Sequence, residues 1–290
     1  MTKILLYSSQ LAAFIGKNAH TNTSRIFNKL YERYFEDVLT KIKMVDQLKE
    51  ANIGDSGSID KLSQKMENNK DLRVKLDNLC KANLSSSVMK KETENLVKKV
   101  LETEKLTEDE QNILKKVADG YTNKKFGTIR EVNALDIYKK NMKIDIVTGI
   151  QSRTKKILEY EGYELLLISK IDAMKYDGTV LEVKNRMYRI FEEVREYEWL
   201  QVQAYLEVYN LENAELVEYL RTGEGEMRVS QIGRDRKFWE EIVKRELMNY
   251  FKTFIKLVVD PLKLKKYLKM TENEQNELIK KMVRKEAKEK

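Results

Sequence analysis

Apolar residues recur at helical spacing near the N-terminus and again toward the C-terminus. The first such run consists of Ile26, Phe27, Leu30, Tyr31 and Tyr34, whose spacing places them on one face of a helix. This pattern predicts an amphipathic helix that ends near residue 35. Before it, Ser8 or Ser9 is suited to cap a short helix and Gly16 is suited to end that helix.

The segment that follows is more polar. Residues 36–118 are typical of a series of polar helices, with breaks expected at residues 54–57 and 85–87, where Gly, Asp and Ser cluster. Residues 107–110 have the spacing of a capping box, and Gly120 can end the helix after it. We find no catalytic motif in this segment.

The spacing of apolar residues changes from a helical to a strand pattern in the second half of the chain. After a helix predicted over residues 128–141, residues 163–173 and 179–184 are rich in strand-forming side chains and are separated by a turn at residues 176–178. This arrangement predicts a β-hairpin.

The remainder returns to longer elements. Helical periodicity covers residues 188–209, a strand is predicted over residues 214–221, and residues 238–258 form one long amphipathic helix. Pro261 marks the end of that helix.

Composition narrows the class of protein. The chain has 290 residues, one proline and one cysteine, Cys80, so it cannot form an intrachain disulfide or a Cys-ligated metal site on its own. His20 is the only histidine, which excludes a histidine-rich metal site. We see neither a signal peptide nor a membrane-spanning stretch and expect an intracellular, non-secreted protein without membrane association.

The net charge of +8 permits nucleic acid, an anionic membrane or an acidic protein as a partner and does not rank them. Part of the surplus lies in residues 262–290. Two readings of that basic segment stay open, a solvated helical end and an arm that binds DNA.

The hairpin carries the candidate chemistry. A turn centred on Asp177 sets Asp172 directly opposite Glu182, with Cβ atoms about 4.5–5.5 Å apart. Lys184 projects from the same face of the strand as Glu182. A divalent cation is one reason for a folded protein to keep two like charges so close, and the two carboxylates and the backbone carbonyl of Val183 are oxygen ligands suited to it.

Lys184 has a complementary role in this hypothesis, because an ammonium beside the metal can orient an attacking water and offset charge on a phosphate. The plainer alternative is an exposed polar hairpin in which Lys184 pairs with a neighbouring acid. Glu-x-Lys alone is a weak signal in a chain with 35% charged residues.

Several motifs together resemble the PD-(D/E)xK nuclease superfamily, in its lambda-exonuclease-like, YqaJ-type branch. These are Ile171-Asp172-Ala173, Glu182-Val183-Lys184-Asn185-Arg186, the helix with Tyr197, Gln201 and Tyr205, the segment Gly127-Thr128-Ile129-Arg130-Glu131, and the opening Ser8–Asn18. The resemblance covers about 1–35 and 120–260 and leaves the segment between them unmatched.

The resemblance implies a magnesium-dependent deoxyribonuclease, with manganese able to substitute. In that reading the metal ligands are Glu131, Asp172, Glu182 and Val183, and the catalytic residues are Asp172, Glu182, Lys184 and Gln201. Gln201 supports the lysine or the phosphate. Candidate DNA contacts are Ser9, Arg186 and Tyr205, although Ser9 is equally well explained as a helix cap.

The implied fold is α/β, a restriction-endonuclease-like core with a mixed central sheet flanked by helices. We divide the chain into N-terminal helices of the nuclease domain (1–35), a helical insertion (36–119), the nuclease core (120–261) and a basic C-terminal helical tail (262–290).

The implied function is an exonuclease that resects duplex DNA ends for recombination or repair in a viral setting, with a single-strand annealing recombinase as partner. A homo-oligomer is kept as an option. The alternatives are an endonuclease with the same site and a non-catalytic DNA-binding or assembly protein.

Overall fold

Apart from the first strand, the described strands lie between two groups of helices, and one helix interrupts them. The computed structural model describes residues 1–47, 74–75, 78, 86–103, 118, 131–186, 189–220 and 226–288. Its strands are β1 (Thr2–Tyr7), β2 (Ile146–Thr148), β3 (Arg153–Tyr160), β4 (Tyr163–Ser169), β5 (Ala173–Lys175), β6 (Val180–Arg186), β7 (Asn213–Leu220) and β8 (Glu226–Gly233).

The helices flank these strands. They are α1 (Leu11–Phe14, after a 3-10 turn at Ser8–Gln10), α2 (Thr23–Tyr34), α3 (Glu36–Gln47), α4 (Ser86–Thr103), α5 (residues 131–142), α6 (Glu196–Tyr209), α7 (Arg236–Phe238, a π-helical turn at Trp239–Val243 and Lys244–Val258), α8 (Pro261–Leu268) and α9 (Glu272–Glu286). Within the described residues, no helix is both long and apolar enough to cross a bilayer.

The strands form two mixed sheets. One has the order β1-β4-β3, with β1 and β4 parallel, and the other has the order β2-β5-β6-β7-β8, with β6 and β7 parallel. The predicted α/β class, with mixed sheet flanked by helices, is confirmed. A single central sheet was expected, whereas the hydrogen bonds divide the strands between two.

The predicted strand over residues 163–173 is wrong as one element, since it is split between the two sheets. Ile171 packs in the main core, whereas Ala173, two residues later, packs in a second core beneath α5. The chain leaves the first sheet after Ser169, so that Ile171 can pack in one core and Ala173 in the other. The hairpin itself is confirmed as β5 and β6.

Two cores cover the five-stranded sheet on opposite faces. Leu181 and Val183 pack against α5, and Val180 packs in the main core with α6. Because side chains alternate along a strand, Glu182 and Lys184 share the face of Val180 and point toward α6.

The N-terminus differs from the prediction in detail. Residues Thr2–Tyr7 form β1, a strand the apolar spacing did not indicate, and Tyr7 rather than a serine occupies the cap position of the turn after it. Ser8 is buried and its hydroxyl meets that of Ser169, which ties β1 to the end of β4. Gly16 closes the first helical segment with a φ of 71°, as predicted.

Some predicted element boundaries agree with the structure and others do not. α6 begins at Glu196, so the helix predicted from residue 188 is wrong at its start, and β7 confirms the strand predicted over residues 214–221. The long helix over residues 238–258 is confirmed, and Pro261 stands at the first turn of α8. Ser86 and Ser87 are helical, so the break predicted at residues 85–87 is wrong at these two positions, and residue 85 lies outside the described residues.

Other predicted features lie outside the described residues, namely the break at residues 54–57, the capping box at residues 107–110 and Gly120. Where it is described, the segment 262–290 consists mainly of α8 and α9, and Ile279 and Val283 of α9 pack in the main core. This packing makes α9 part of the folded body.

Candidate active site

Asp172 and Glu182 face each other across the hairpin. Ala173 pairs with Leu181 and Met174 with Val180, and one further step in this register sets Asp172 opposite Glu182, as the sequence predicted. Oδ2 of Asp172 accepts a hydrogen bond of 2.8 Å from the backbone N–H of Val183. Glu182 is buried, with 4% of its surface exposed.

The surroundings of Asp172 disturb its ionisation. Burial, and then the charge of Glu182, raise the pKa of Asp172 to about 8, against the lowering effect of the hydrogen bond from Val183. An acid with so high a pKa gains much from a nearby cation, because a positive charge restores its ionised form.

Lys184 is the cation that the chain itself supplies. Its Nζ lies 2.6 Å from Oε1 of Glu182 and donates a second hydrogen bond of 3.2 Å to Oε1 of Gln201. Burial acts to lower the pKa of Lys184, but the adjacent Glu182 outweighs it, so the pKa lies above its ordinary value. Lys184 is therefore charged at neutral pH.

Gln201, on α6, forms hydrogen bonds with the candidate catalytic side chains Glu182 and Lys184 of β6. Its Nε2 donates to Oε1 of Glu182 at 2.8 Å and to the hydroxyl of Tyr205, while its Oε1 accepts from Lys184. The amide thus holds the acid and the ammonium in one fixed arrangement. Tyr205 is buried, so it supports Gln201 from within and does not present a surface to DNA.

Glu131, at the start of the described part of α5, reaches the same charge cluster. Burial and then the charge of Glu182 raise its pKa, while Lys184 and Lys170 lower it. The charges of Glu131 and Asp172 also interact. Among the described residues, however, no three His, Cys, Asp or Glu side chains are gathered into a ready-made metal-binding group.

The oxygens around Asp172 nevertheless fit a divalent cation. Oε2 of Glu182 is buried and has no hydrogen-bond partner within the described structure, which is unfavourable for a carboxylate oxygen. The N–H and C=O of a strand residue point to the same edge, so the carbonyl of Val183 lies on the side of Asp172. Magnesium is commonly held by one or two carboxylates, with water and phosphate completing its shell.

Arg186 has a structural environment that the sequence did not reveal. Its Nη atoms donate to both carboxylate oxygens of Glu198 at 2.7 and 2.8 Å, and its Nε donates to Glu218 at 2.6 Å. The side chain is 10% exposed. These bonds tie β6 to α6 and β7, so we assign Arg186 to the support of the site and withdraw it as a DNA contact.

Ser9 and Gln203, the other two residues considered from the sequence, have different surroundings. Ser9 is exposed on the turn after β1, where the DNA contact stays a prediction. Gln203 is buried and bonds to the carbonyl of Gly233 and the N–H of Asp235, which makes it structural.

A second polar cluster, which the sequence did not indicate, lies on the face of the sheet that α5 covers. Buried Glu215 accepts hydrogen bonds from Tyr138, Lys175 and Gln231. These donors outweigh the effect of burial and keep the pKa of Glu215 below its ordinary value. The cluster anchors α5, the helix that carries Glu131, to β5 and β7. Its partners lie far apart in sequence, so no local signal marks it.

No family model matches the sequence, and no match is found among curated proteins. Similar solved structures include that of SSO0001, with a TM-score of 0.37 and 16% identity over 47% of this chain and 63% of that chain.

They also include an alkaline exonuclease, LHK-Exo, from Laribacter hongkongensis. That structure has a TM-score of 0.37 and 11% identity over 63% of this chain and 88% of that chain. The same enzyme in complex with dAMP has a TM-score of 0.36, 12% identity, and coverage of 63% of this chain and 87% of that chain.

Proposed function

We propose that the chain is a metal-dependent deoxyribonuclease that hydrolyses phosphodiester bonds at Asp172, Glu182 and Lys184. One observation carries the proposal. A half-buried carboxylate, Asp172, meets a buried one, Glu182, across a hairpin. The first has a pKa of about 8, the second has an oxygen without a hydrogen-bond partner among the described residues, and an ammonium lies 2.6 Å from the second. A divalent cation and a phosphate would balance this set of charges.

Each side chain has a distinct task in that reaction. Asp172, Glu182 and the carbonyl of Val183 would hold magnesium or manganese, with Glu131 as a further acid nearby. The metal would supply an activated water and stabilise charge on the phosphate. Lys184 orients that water and offsets the developing negative charge, and Gln201 keeps Lys184 in place against Glu182.

The finer proposal is an intracellular exonuclease that resects duplex ends for recombination or repair, paired with a strand-annealing recombinase. It rests on the sequence motifs around Asp172, Lys184 and Gln201. A closed circular duplex separates this proposal from an endonuclease with the same site, because an exonuclease leaves the circle uncut.

The central experiment incubates the full chain with a linear duplex and magnesium. Hydrolysis is expected for the parent chain and for Glu241→Ala, which removes an exposed acid on α7, and is expected to be lost in Asp172→Ala and Lys184→Ala. Equal hydrolysis by Asp172→Ala would reject the proposed site. Magnesium-independent DNA binding with no hydrolysis would favour the non-catalytic alternative.

A further inference from the structure

A buried carboxylate on the face of the sheet that α5 covers is hydrogen-bonded from three elements. Glu215 of β7 has 1% of its surface exposed, and its Oε2 accepts a hydrogen bond from the hydroxyl of Tyr138 on α5. Its Oε1 accepts hydrogen bonds from Lys175 of β5 and, at 2.7 Å, from Gln231 of β8. Moving any one of these donors away would leave a buried polar group unpaired, which is unfavourable. Glu215 therefore ties three elements to one point.

Tyr138 brings this anchor onto the helix that carries Glu131. The two residues are seven positions apart, close to two full turns, so they lie on the same face of α5 and about 10 Å apart along its axis. Ala134 and Leu135, between them, are buried in the core beneath α5. That face therefore rests on the sheet, and Tyr138 is wholly buried. The bond from Tyr138 to Glu215 limits how far the helix can slide or turn.

The same carboxylate holds the strand that leads away from Asp172. Lys175 is three residues after Asp172, and its ammonium donates to Glu215 and lies 6.0 Å from the centre of the Tyr138 ring. The strand and the helix are thus fixed to each other through one side chain. Glu215 connects the two elements on which Asp172 and Glu131 lie.

Glu215 lies behind the candidate metal site. It pairs with Leu181, the residue before Glu182, in the register of β6 and β7. Successive side chains of a strand point to opposite faces, so Glu215 and Glu182 are on opposite faces of the sheet. Glu215 is therefore not itself a ligand of a cation held by Glu182, and its effect on that cation passes through the elements that it holds.

Both partners of the central bond keep the protonation that the bond requires. Burial acts to raise the pKa of Glu215, but the bonds from its three donors outweigh burial and leave the pKa below its ordinary value. Burial, and then the bond with Glu215, raise the pKa of Tyr138. At neutral pH the tyrosine is the donor and the glutamate is the acceptor.

We propose that Tyr138 and Glu215 are positioning residues for the candidate metal site, which deepens the proposed function and rests on it. Their hydrogen bond holds α5 where the carboxylate of Glu131 joins Asp172 and Glu182 in binding the cation. An acid that is already in place raises the affinity of the site, because it need not be ordered when the metal binds. Residues that hold a ligand in place contribute roughly 10–100-fold to metal affinity.

The test measures Mn²⁺ binding to the full chain by electron paramagnetic resonance, which detects the free ion and requires no catalysis. Tyr138→Phe removes the hydroxyl while keeping the ring and the net charge, and it should weaken Mn²⁺ binding by roughly tenfold. Tyr219→Phe is the matched control. Tyr219 of β7 packs against the same core, and its hydroxyl forms a hydrogen bond with no described residue. The control variant should bind Mn²⁺ as the parent does.

A double-mutant cycle separates positioning from a general loss of packing. In the Glu131→Gln chain the helix has no carboxylate to place, so adding Tyr138→Phe should leave the Mn²⁺ affinity unchanged. A loosening of the whole fold would lower the affinity by the same factor in both backgrounds. Millimolar Mn²⁺ keeps the weaker binding of the Glu131→Gln chain measurable. Hydrogen exchange within α5 should become faster with Tyr138→Phe in either background.

Three outcomes would overturn the positioning role. They are parental Mn²⁺ affinity in Tyr138→Phe, an equal loss of affinity when Glu131→Gln is present, and hydrogen exchange in α5 that does not change. Failure of the proposed function is distinct, since it would show as parental Mn²⁺ binding and hydrolysis by the Asp172→Ala chain.

Discussion

The carboxylate of Asp172 accepts a hydrogen bond of 2.8 Å from the backbone N–H of Val183, on the neighbouring strand. The bond lies just beyond the last backbone pair of β5 and β6, Ala173 with Leu181. The side chain thus continues the strand pairing by one step and fixes the acid next to Glu182. The hydrogen bond from Val183 therefore fixes the position of the Asp172 carboxylate and also holds it close to the charge of Glu182.

Asp172→Asn should stabilise the metal-free protein at neutral pH while abolishing hydrolysis. An amide oxygen can still accept the bond from Val183, and Asn needs no proton, whereas the Asp172 carboxylate of the unfolded chain must take up a proton to fold at neutral pH. The free energy of unfolding should therefore rise by on the order of 1–3 kcal/mol in the variant. Chemical denaturation in the presence of a chelator measures this, and a fall in stability would show that folding at neutral pH does not require that proton.

The stability of the metal-free parent should also depend on pH in one direction. The unfolded carboxyl ionises at about 3.9, whereas the folded pKa of Asp172 is about 8. Between these values the folded chain binds the additional proton, so the free energy of unfolding should fall as pH rises. Thermal melts across that interval, with Asp172→Asn as the control, should show a flatter profile in the variant.

Gln201 and Gln203 lie on the same helix and should respond differently to replacement by Leu. Gln201→Leu removes the bridge between Glu182 and Lys184 and should reduce the hydrolysis rate by about 10–100-fold with little loss of stability. Gln203→Leu breaks bonds to the backbone of Gly233 and Asp235 and should lower stability instead. Rates per folded molecule, beside unfolding curves, distinguish them, and the reverse pattern would contradict the assignment.

Arg186→Met should destabilise the fold strongly. It leaves Glu198 and Glu218 as buried charges without their partner, at a cost of about 3–5 kcal/mol. Adding Glu198→Gln and Glu218→Gln should recover part of that loss, as measured by chemical denaturation. Unchanged stability with weaker DNA binding would instead restore Arg186 as a DNA contact.

Gly16 and Gly162 both have positive φ values, 71° and 80°, but differ in their surroundings. A Cβ at Gly162 meets open space, whereas one at Gly16 collides with the hydroxyl of Tyr250. Gly162→Ala should therefore cost about 1–2 kcal/mol from the backbone alone, and Gly16→Ala should cost more. Equal losses in unfolding measurements would show that Tyr250 yields freely.

Local turn chemistry explains why the register of the hairpin was predictable. Gly178 has a φ of 87°, and Asp177 accepts a hydrogen bond from the N–H of Thr179 at 2.8 Å. These few residues fix the pairing of β5 with β6, and through it the meeting of Asp172 and Glu182. The order acid, turn, Glu-x-Lys therefore contained the central geometry of the site.

Contacts between distant segments were beyond the sequence pattern. β1 forms because it pairs with β4, about 160 residues later. The strand predicted over residues 163–173 is divided because its first part pairs with β1, while Ile171 and Ala173 pack in different cores. Arg186 resembled a free surface cation because Glu218, 32 residues away, is brought to it only by the parallel pairing of β6 and β7.

A crystal structure of the chain soaked in manganese tests the central claim most directly. The account predicts anomalous density for an ion between the carboxylates of Asp172 and Glu182, within bonding reach of the carbonyl of Val183, and loss of that density in Asp172→Asn. Full manganese occupancy elsewhere, with Asp172 and Glu182 left without an ion, would contradict the account.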